Sequence, residues 1–427
     1  MNQTNWKKNT ALFLSSQTIS LFGSALVQYA IIWYITLTTK SGSMQTIAVL
    51  CGFAPMFAVG IFAGVWADRY NRKTIIALAD SMIAIATLAL AVLFMLGYQE
   101  LWLLFVMLAI RGLGGGIQMP AVVAFIPQIT PTEKLTRING LYGTVQALTT
   151  LVAPIVAGAL LSLVPLQYIF FIDMGTAAIA VCILLFALKV PAHAKALAKQ
   201  TISYFADMAK GFRYIRGHKY LLLYFLFCTF FFFLAAPAAF LTPLQVARTF
   251  GADVWRLTAI EVTFSAGMAA GGFLMSAWKG FKNKIHTMTL SAIIFGVCTV
   301  ALGLVPNFWV YLGFMVLCGF GMPLFGTPST VMLQERVEGD FMGRVFSVQG
   351  MITTIMMPMG MVLFGPLADV IRIEWMLIAT GALMLVAGGF LYWNKTLLEA
   401  GKPRPKIEQT ADVNSSLPPR QEPNALD

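Results

Sequence analysis

Twelve apolar segments, each of roughly 20 residues, constrain the fold of this chain more than any other feature of its sequence. A helix rises about 1.5 Å per residue, so about 20 apolar residues cross the hydrocarbon core of a bilayer. Only 11% of the residues are charged, whereas soluble domains carry roughly 25%. The sequence therefore predicts an all-α, polytopic membrane protein. We place the spans near 11–37, 44–66, 74–97, 101–126, 138–163, 168–188, 221–246, 257–278, 287–305, 308–332, 344–370 and 375–394.

Lysine and arginine residues are concentrated in alternate polar segments. If the N-terminus is inside, most of the 29 basic residues fall in inside segments, and Lys40, Arg248, Arg256 and Arg372 fall outside. Cytoplasmic loops carry the excess of Lys and Arg, so we predict that both termini are cytoplasmic. The net charge of +11 belongs to these loops and does not indicate a nucleic-acid partner.

The longest inside segment divides the chain into two sets of six spans. We predict an N-terminal six-helix bundle at 1–188, a cytoplasmic linker at 189–219, a C-terminal six-helix bundle at 220–394 and a disordered cytoplasmic tail at 395–427, where the sequence is polar and proline-rich. Apolar residues at helical spacing in the linker predict an amphipathic helix on the inner membrane surface, with a plain linker as the alternative. These residues are Ile202, Phe205, Met208, Ala209 and Phe212.

Several residues of the first half recur in the second half at one constant offset. The pairs are Trp102 and Trp309, Gly112 and Gly319, Gly114 and Gly321, Arg137 and Arg344, and Gly158 and Gly365. Five identical pairs are too few to establish a repeat by themselves, but they agree with the order of the spans. We therefore expect two parallel halves around a central site.

A dense group of charges at residues 64–73, between spans two and three, suits a contact between helix ends. Gly64 lets another helix approach closely. Asp68 can accept hydrogen bonds from arginines or from the free N–H groups at the start of a neighbouring helix. Arg69, Arg72 and Lys73 hold this end on the positive side of the membrane. Residue types alone leave open a simple charged hairpin.

The order Gly-x-x-x-Asp-Arg-x-x-Arg-Lys in this loop resembles the signature of the major facilitator superfamily of secondary transporters. Asn71 stands where that signature more often has glycine, and Asn also tolerates a left-handed turn. The resemblance implies two pseudo-symmetric six-helix bundles whose central cavity opens alternately to each side. It also implies that Asp68 meets the cytoplasmic start of span eleven, near Gly343 and Arg344, when the inside is closed.

Four ionisable residues inside spans are candidates for proton coupling: Asp80, Arg111, Asp173 and Glu261. Each costs roughly 2.5 to 3.5 kcal/mol at mid-membrane and needs a partner or water. Desolvation favours the neutral form of a carboxyl group, whereas a nearby cation favours the ionised form. The protonation of such a group can therefore depend on which side of the membrane admits water to it. The segment Arg-Gly-Leu-Gly-Gly-Gly at Arg111 resembles the fourth-span motif of the superfamily, which is associated with proton coupling, although Gly114 replaces a common glutamine. Structural ion pairs are the alternative for the three acids.

Span five contains Ala-Pro-Ile-Val-Ala-Gly at residues 153–158, which is similar to the Gly-Pro-x-x-Gly-Gly antiporter motif with two glycines replaced by alanine. Proline removes a backbone donor and bends a helix, and small residues allow tight packing. We predict a hinge at Pro154 and Gly158, and the similarity favours export over import.

Polar side chains recur on single faces of spans one, five and eleven, and aromatic and methionine side chains lie in spans seven and eleven. Spacings of three to four stack such residues toward the bundle interior, and methionines and aromatic rings suit a cavity for bulky amphiphiles. Contact with lipid or a neighbouring helix is the alternative for the aromatic and methionine stripes. The predicted cavity residues are Gln17, Ser20, Ser24, Gln28, Tyr142, Gln146, Phe233, Gln349, Thr353 and Met357.

Longer segments are similar to the macrolide-efflux branch of twelve-span drug:proton antiporters, over nearly all of the chain up to about residue 395. These segments are 128–137, 172–174, Glu261 together with 265–268, and 343–347. The similarity implies a bacterial inner-membrane protein that expels macrolide-like or other amphiphilic compounds in exchange for protons, and so contributes to antibiotic resistance. We expect a monomer surrounded by membrane lipids. A lysophospholipid or peptide carrier without strict proton coupling, an uptake permease, and a non-transporting scaffold or receptor are the competing classes.

An enzyme is not expected, because the sequence shows no catalytic triad, phosphate-binding loop or metal-ligand cluster. The five cysteines have no metal or redox spacing. Its three histidines are His193, His218 and His286, all in predicted cytoplasmic segments. We therefore expect neither a cofactor nor a metal.

Overall fold

The computed structural model describes residues 6–188, 190 and 204–403, without the side chains of Ile61, Val65, Asp68 and residues 204–208. These residues form fifteen α-helices and no strand. Twelve of the helical segments are long and apolar enough to cross a membrane. The helices are Trp6–Thr39 (α1), Gly42–Arg69 (α2), Arg72–Met95 (α3), Leu101–Ile129 (α4), Leu135–Leu163 (α5), Leu166–Cys182 (α6), Tyr204–Gly217 (α7), Lys219–Ala236 (α8), Thr242–Thr249 (α9), Val254–Trp278 (α10), Lys284–Leu304 (α11), Phe308–Arg336 (α12), Gly339–Val370 (α13), Ile373–Trp393 (α14) and Lys395–Ala400 (α15).

The apolar segments become helices because no water in a bilayer core can pair with exposed backbone groups. Polar residues then mark where several helices begin. The side chains of Ser41, Asn71, Asn283 and Asn307 each accept a backbone N–H bond from the first turn of the helix that follows. Several helices run a few residues beyond the predicted spans, since helical hydrogen bonds continue outside the hydrocarbon core.

The helices pack as two similar halves. In the first half, α4 packs on α2 and α3, and α6 packs on α1 and α3; in the second, α12 packs on α10 and α11, and α14 packs on α8 and α11. The helices α8 and α9, joined by the π-helical turn Pro237–Leu241, form one span. The predicted fold of twelve helices in two pseudo-symmetric bundles is confirmed.

Two glycines that match between the halves make equivalent close contacts. A Cβ atom on Gly112 of α4 would collide with the backbone carbonyl of Gly52 on α2. A Cβ atom on Gly319 of α12 would likewise collide with the carbonyl of Phe264 on α10. In each half a missing side chain lets two helix backbones touch.

Helices α7 and α15 lie outside the spans and pack on the second half. In α7, the Tyr214 ring stacks on Phe341 of α13 with centroids 4.3 Å apart, and Ile215 is buried. Of the apolar linker residues, Ile202 lies outside the described part of the chain. Leu397 of α15 is buried near α8, so the first residues of the predicted tail, 395–427, form a helix. Residues 404–427 are not described.

The two ends of the bundle differ in how the halves meet. We call the end with Arg69 and Lys73 the basic end. At the opposite end, Gly42 of α2 packs against Gly365 of α13, and Gly158 of α5 packs against Thr258 of α10. At the basic end, Gly64 and Gly343 have no described atom within 4 Å of where a Cβ would stand. The halves are thus closed together at the opposite end, with open space beside these glycines at the basic end.

Candidate functional site

A cavity of about 720 Å³ lies between the two halves. Helices α1, α2, α4 and α5 provide most of its wall, and the second half contributes Ala239, Phe240, Pro243 and Glu261. Its volume falls within the range of small-molecule sites. Its polar and aromatic lining includes Ser24, Gln28, Tyr29, Trp33, Gln45, Phe53, Gln118, Gln146, Thr149 and Thr150. A bulky molecule with both apolar and polar groups fits such a wall.

A buried ion pair lies beside this cavity. Arg111 Nη1 of α4 lies 2.6 Å from Asp173 Oδ2 of α6, and the two side chains are 6% and 1% exposed. Arg111 Nη2 also donates to the Ser24 carbonyl of α1 at 2.5 Å. The Asp173 carboxylate accepts hydrogen bonds from Ser24 Oγ and from Thr87 Oγ1 of α3. Four helices of the first half therefore meet at one compensated pair of charges.

Asp80 of α3 is buried without a described cation. Its Oδ1 atom accepts hydrogen bonds of 2.8 Å from Ser20 Oγ of α1 and from Gln118 Nε2 of α4. Its Oδ2 atom has no hydrogen-bond partner among the described residues. Both amide atoms of the fully buried Gln17 likewise lack a partner within the described part of the chain. Asp80 and Asp173 therefore have different electrostatic surroundings, although both belong to the first half.

Glu261 of α10 supplies the one acidic side chain in the cavity wall. No hydrogen bond or ion pair joins its carboxyl group to another described residue. Arg111 also lines the cavity, but its charge is paired with Asp173. A carboxyl group in this position can bind a proton or meet a positively charged group of a bound molecule.

Only some of the predicted cavity residues line this cavity. Ser24, Gln28 and Gln146 do so. Gln17 and Ser20 lie buried on the side of α1 that carries the hydrogen bond to Asp80. The cavity residues that the sequence did not single out include Gln118, which follows Arg111 by seven residues and so lies on the same helix face, a signal that could have identified it.

The remaining predicted cavity residues make contacts elsewhere. In α13, Gln349 Nε2 donates to Ser329 Oγ of α12 at 3.1 Å, and Thr353 Oγ1 donates to the Gln349 carbonyl at 3.2 Å. Phe233 packs on the Phe364 ring with centroids 5.5 Å apart. Met357 packs against the apolar core, and Tyr142 against a second apolar cluster near the basic end. These five side chains are absent from the wall of the described cavity.

The basic residues of the loop between α2 and α3 hold the first half together at the basic end. Arg72 donates to the carbonyls of Ala67 and Ala124, each at 2.9 Å. Lys73 Nζ donates to the carbonyls of Leu185 and Leu188 at 3.1 and 2.8 Å. Cations suit the carbonyl-rich ends of helices. Arg69 is exposed.

The backbone of Asn71 is extended, with φ −66° and ψ 112°, rather than left-handed. Its side chain accepts the backbone N–H of Lys73 at 3.1 Å and so begins α3. Asn therefore replaces the usual glycine as a helix cap and not as a turn residue.

The predicted contact of Asp68 with the start of α13 lies outside the described residues, because the Asp68 side chain is not described. At the start of α13, Arg344 Nη1 donates to the Asp340 carbonyl at 3.3 Å, and its guanidinium lies 5.3 Å from the Phe341 ring centroid. Gly343 has open space around it. The described backbone leaves room beside both Gly64 and Gly343 for the halves to come together.

Of the two predicted hinge residues of α5, Gly158 lies at the contact between the halves. Pro154 and Gly158 are buried, and a Cβ atom on Gly158 would collide with the Thr258 side chain of α10. Small size at this position allows α5 and α10 to approach closely.

Among the described residues, no group of three or more His, Cys, Asp or Glu side chains could hold a metal ion. The cavity wall combines aliphatic side chains such as Leu21, Ile32 and Met56 with charged, amide, hydroxyl and aromatic groups. This lining offers binding contacts and a proton acceptor.

Comparison with known proteins places this geometry in a family. The family model described as "transmembrane secretion effector" matches residues 8–415. Macrolide efflux protein A of Streptococcus pyogenes is 30% identical over 383 residues, which are 89% of this chain and 94% of that protein. The protein of the same name from Enterococcus faecalis is 29% identical over 323 residues, 75% of this chain and all of that sequence.

Solved structures are similar in fold at low sequence identity. An inward-facing, unoccupied bacterial homologue of the human lysosomal transporter Spinster has a TM-score of 0.68 and 15% identity, covering 95% of this chain and 100% of its own. A POT family transporter in complex with 5-aminolevulinic acid has a TM-score of 0.73 and 13% identity, covering 90% of this chain and 95% of its own. At such identity the likeness concerns the fold alone.

Proposed function

The chain belongs to the transmembrane secretion effector family, in the macrolide-efflux-like branch of the major facilitator superfamily, and from this membership we propose that it exports macrolide-like or other amphiphilic compounds in exchange for protons. It is a multi-pass membrane transporter and not an enzyme. The proposal places it as a monomer in the inner membrane of a bacterial cell, surrounded by lipid.

The proposed orientation puts the basic end in the cytoplasm, in keeping with the positive-inside rule. Both termini are then cytoplasmic. Because the halves meet at the opposite end, this structure then corresponds to an inward-facing state. Export requires a second state in which the basic end closes and the opposite end opens.

The observation that carries the proposal is the carboxyl group of Glu261 in the wall of the cavity, where no hydrogen bond or ion pair joins it to a described residue. Such a group can bind a proton when the cavity faces outward and release it when the cavity faces the cytoplasm. The amphiphile would then enter from the cytoplasmic side as the proton leaves. If the cavity holds the proton in one state and the substrate in the other, each cycle moves one inward and the other outward across the membrane.

The other ionisable residues support this step in different ways. The Arg111–Asp173 pair borders the same cavity and would adjust the electrostatic potential around Glu261. Asp80, held by Ser20 and Gln118, is a second candidate for proton binding. The aromatic and amide groups of the wall suit the apolar body and the polar groups of an amphiphile.

In the proposed cycle the cytoplasmic gate closes when Asp68 meets the start of α13 near Gly343 and Arg344. Gly64 would allow that approach. Arg72 and Lys73 already fix the loop to α4 and to the residues that follow α6, so the loop would move with the first half. Pro154 and Gly158 would let α5 adjust against α10.

The test compares the native protein with Glu261→Gln in cells that lack their own drug pumps. We expect Glu261→Gln to lose proton-driven export, with macrolide accumulation in the cells rising to the level of cells without the transporter. The matched control is Glu100→Gln, because Glu100 is an exposed acid before α4 that caps no backbone N–H. Export by the control should equal that of the native protein.

Full export by Glu261→Gln would contradict the proposed role of this carboxyl group. A protonophore added to proteoliposomes separates the competing class: a carrier of lysophospholipid or peptide without strict coupling would continue to transport its substrate after the proton gradient collapses.

A further inference from the structure

A carboxylate at the outer end of α13 joins the two halves. Asp369 Oδ1 accepts the backbone N–H of Gly42 at 2.7 Å, and Oδ2 accepts the backbone N–H of Ser43 and the hydroxyl of Ser41, each at 2.9 Å. Residues 41–43 form the start of α2. The acid of the second half therefore binds the first turn of a helix in the first half.

Arg248 of α9 completes this contact from the second half. Its Nη2 donates to Asp369 Oδ1 at 2.9 Å, and its Nη1 donates to the Ala368 carbonyl at 2.5 Å. Its Nε and Nη2 also donate to the carbonyl of Lys40, at 3.0 and 2.5 Å, just before α2. One guanidinium therefore holds the carboxylate and the chain of the first half at the same time.

The position of Asp369 is explained by α2 and not by its own helix. Asp369 lies in the last turn of α13, where the helix dipole disfavours an anion. The start of α2 presents free N–H groups and the positive end of a dipole, which favour an anion. The ionised Asp369 is therefore more stable when α2 is in contact with α13 than when the two halves are apart.

The packing beneath this acid is close, so opening at this end has to break several contacts together. A Cβ atom on Gly365 would collide with Thr46 of α2. Thr46 Oγ1 donates to the Met361 carbonyl at 3.0 Å, and Gln45 Nε2 donates to the Phe240 carbonyl at 2.6 Å. These contacts lie between the outer surface and the cavity.

We propose that Asp369, positioned by Arg248, is the residue that holds the outer gate closed in the inward-facing state. This inference rests on the proposed export by alternating access. At the outer end, the acid in the last turn of α13 binds the start of α2. At the cytoplasmic end, the proposed gate has the reverse arrangement, because Asp68 near the end of α2 would meet the start of α13. Each state of the transporter then holds one of the two contacts.

The test measures distances between the halves by pulsed electron paramagnetic resonance on the full chain. The five native cysteines are first replaced. Spin labels at Gln99 and Pro306 then report the outer end, and labels at Glu133 and Lys282 report the cytoplasmic end, since all four side chains are exposed and each pair spans both halves. Molecules that are open at the outer end have a longer outer distance and a shorter cytoplasmic distance. We expect Asp369→Asn to raise the fraction of such molecules on the order of tenfold, because the substitution removes charged hydrogen bonds that are present in the inward-facing state only.

The matched control is Asp253→Asn. Asp253 is also an acid at the outer end, but its ion pair with Arg256 lies within the second half. A distance distribution for Asp369→Asn that equals that of Asp253→Asn would overturn the proposal. If Asp369→Asn loses both defined distances through misfolding, Arg248→Gln against Arg256→Gln decides: a gain of the outward-open fraction supports the proposal, and no change overturns it.

The distances are measured without drug or proton gradient, so they separate this inference from the proposed function. Suppose that the native protein exports no amphiphile and that Asp369→Asn still raises the fraction of molecules open at the outer end. This result would refute the proposed function and support the outer gate. Unchanged distances in a protein with proton-driven export would refute the outer gate alone.

Discussion

At the scale of residues, the three acids near the cavity differ in what compensates them. Asp173 is paired with Arg111 and hydrogen-bonded by Ser24 and Thr87. Asp80 accepts two neutral donors on one oxygen atom. Glu261 faces the cavity and makes no hydrogen bond or ion pair with a described residue. A buried, compensated pair contributes to structure, whereas an unpaired carboxyl group is free to exchange a proton.

This difference predicts the effect of Asp173→Asn on stability. Removing one member of a buried ion pair leaves an uncompensated charge, so we expect the unfolding free energy to fall by about 3 to 5 kcal/mol. The double variant Arg111→Gln with Asp173→Asn should regain most of that loss, because no charge remains buried. Thermal unfolding of the purified protein in detergent measures both effects.

Asp253→Asn is the control for this series, because its ion pair with Arg256 is more exposed and such pairs contribute about 0 to 1 kcal/mol. An Asp173→Asn protein as stable as the native one would contradict the structural role of the pair.

At the scale of elements, glycines decide how closely the helices of each half pack. Gly112 lets α4 touch α2, and Gly319 lets α12 touch α10. Gly114 faces Ile83 of α3, while Gly321 faces Phe295 of α11. The two matching glycine pairs therefore occupy equivalent places in the two halves. The sequence alone provides only weak support for this match between the halves, and the structure explains it by equivalent packing.

Gly319→Ala should lower stability by about 1 to 3 kcal/mol, because its Cβ atom would collide with a backbone carbonyl that cannot move alone. Gly313→Ala in the same helix is the control, because no described atom lies within 4 Å of the added Cβ and alanine favours helix. Melting temperatures of the two purified variants check this prediction. Equal melting temperatures would show that α10 and α12 can separate without cost.

At the scale of the whole molecule, the two ends of the bundle have opposite arrangements in this structure. The end with Gly42, Gly158 and Asp369 holds the halves together. At the basic end, Gly64 and Gly343 face open space among the described residues. A transporter that alternates needs a contact to form at the basic end as those at the other end break.

The proposed cytoplasmic gate predicts that Asp68→Asn impairs export without loss of folded protein. Roughly tenfold slower export is expected if one charged hydrogen-bond set is lost from the closed state. Drug efflux and the amount of monodisperse protein are measured together. Glu133→Gln serves as the control, since Glu133 is an exposed acid at the same end. Undiminished efflux by Asp68→Asn would refute the gate.

The sequence by itself determined the twelve spans, the two halves and the family. An apolar segment of about 20 residues suits a membrane-spanning helix, in which all backbone hydrogen bonds are made within the segment. The charged loop at residues 64–73 has the residue order of the superfamily signature and lies between spans two and three. The sequence also identified Arg111, Asp173, Asp80 and Glu261 as unusual, because ionisable groups inside spans are costly.

Only the tertiary structure decided what each of these residues meets. Helical spacing places Gln146 and Gln349 on a face, but it does not say which helix covers that face. Gln146 lines the cavity, whereas Gln349 is hydrogen-bonded within the second half. Asp369 has no mark in the sequence beyond its charge, because its partners in the first half, two backbone N–H groups and the Ser41 hydroxyl, lie more than 300 residues away along the chain. Contacts of that kind depend on how the two halves come together, and residue types and spacing do not encode this directly.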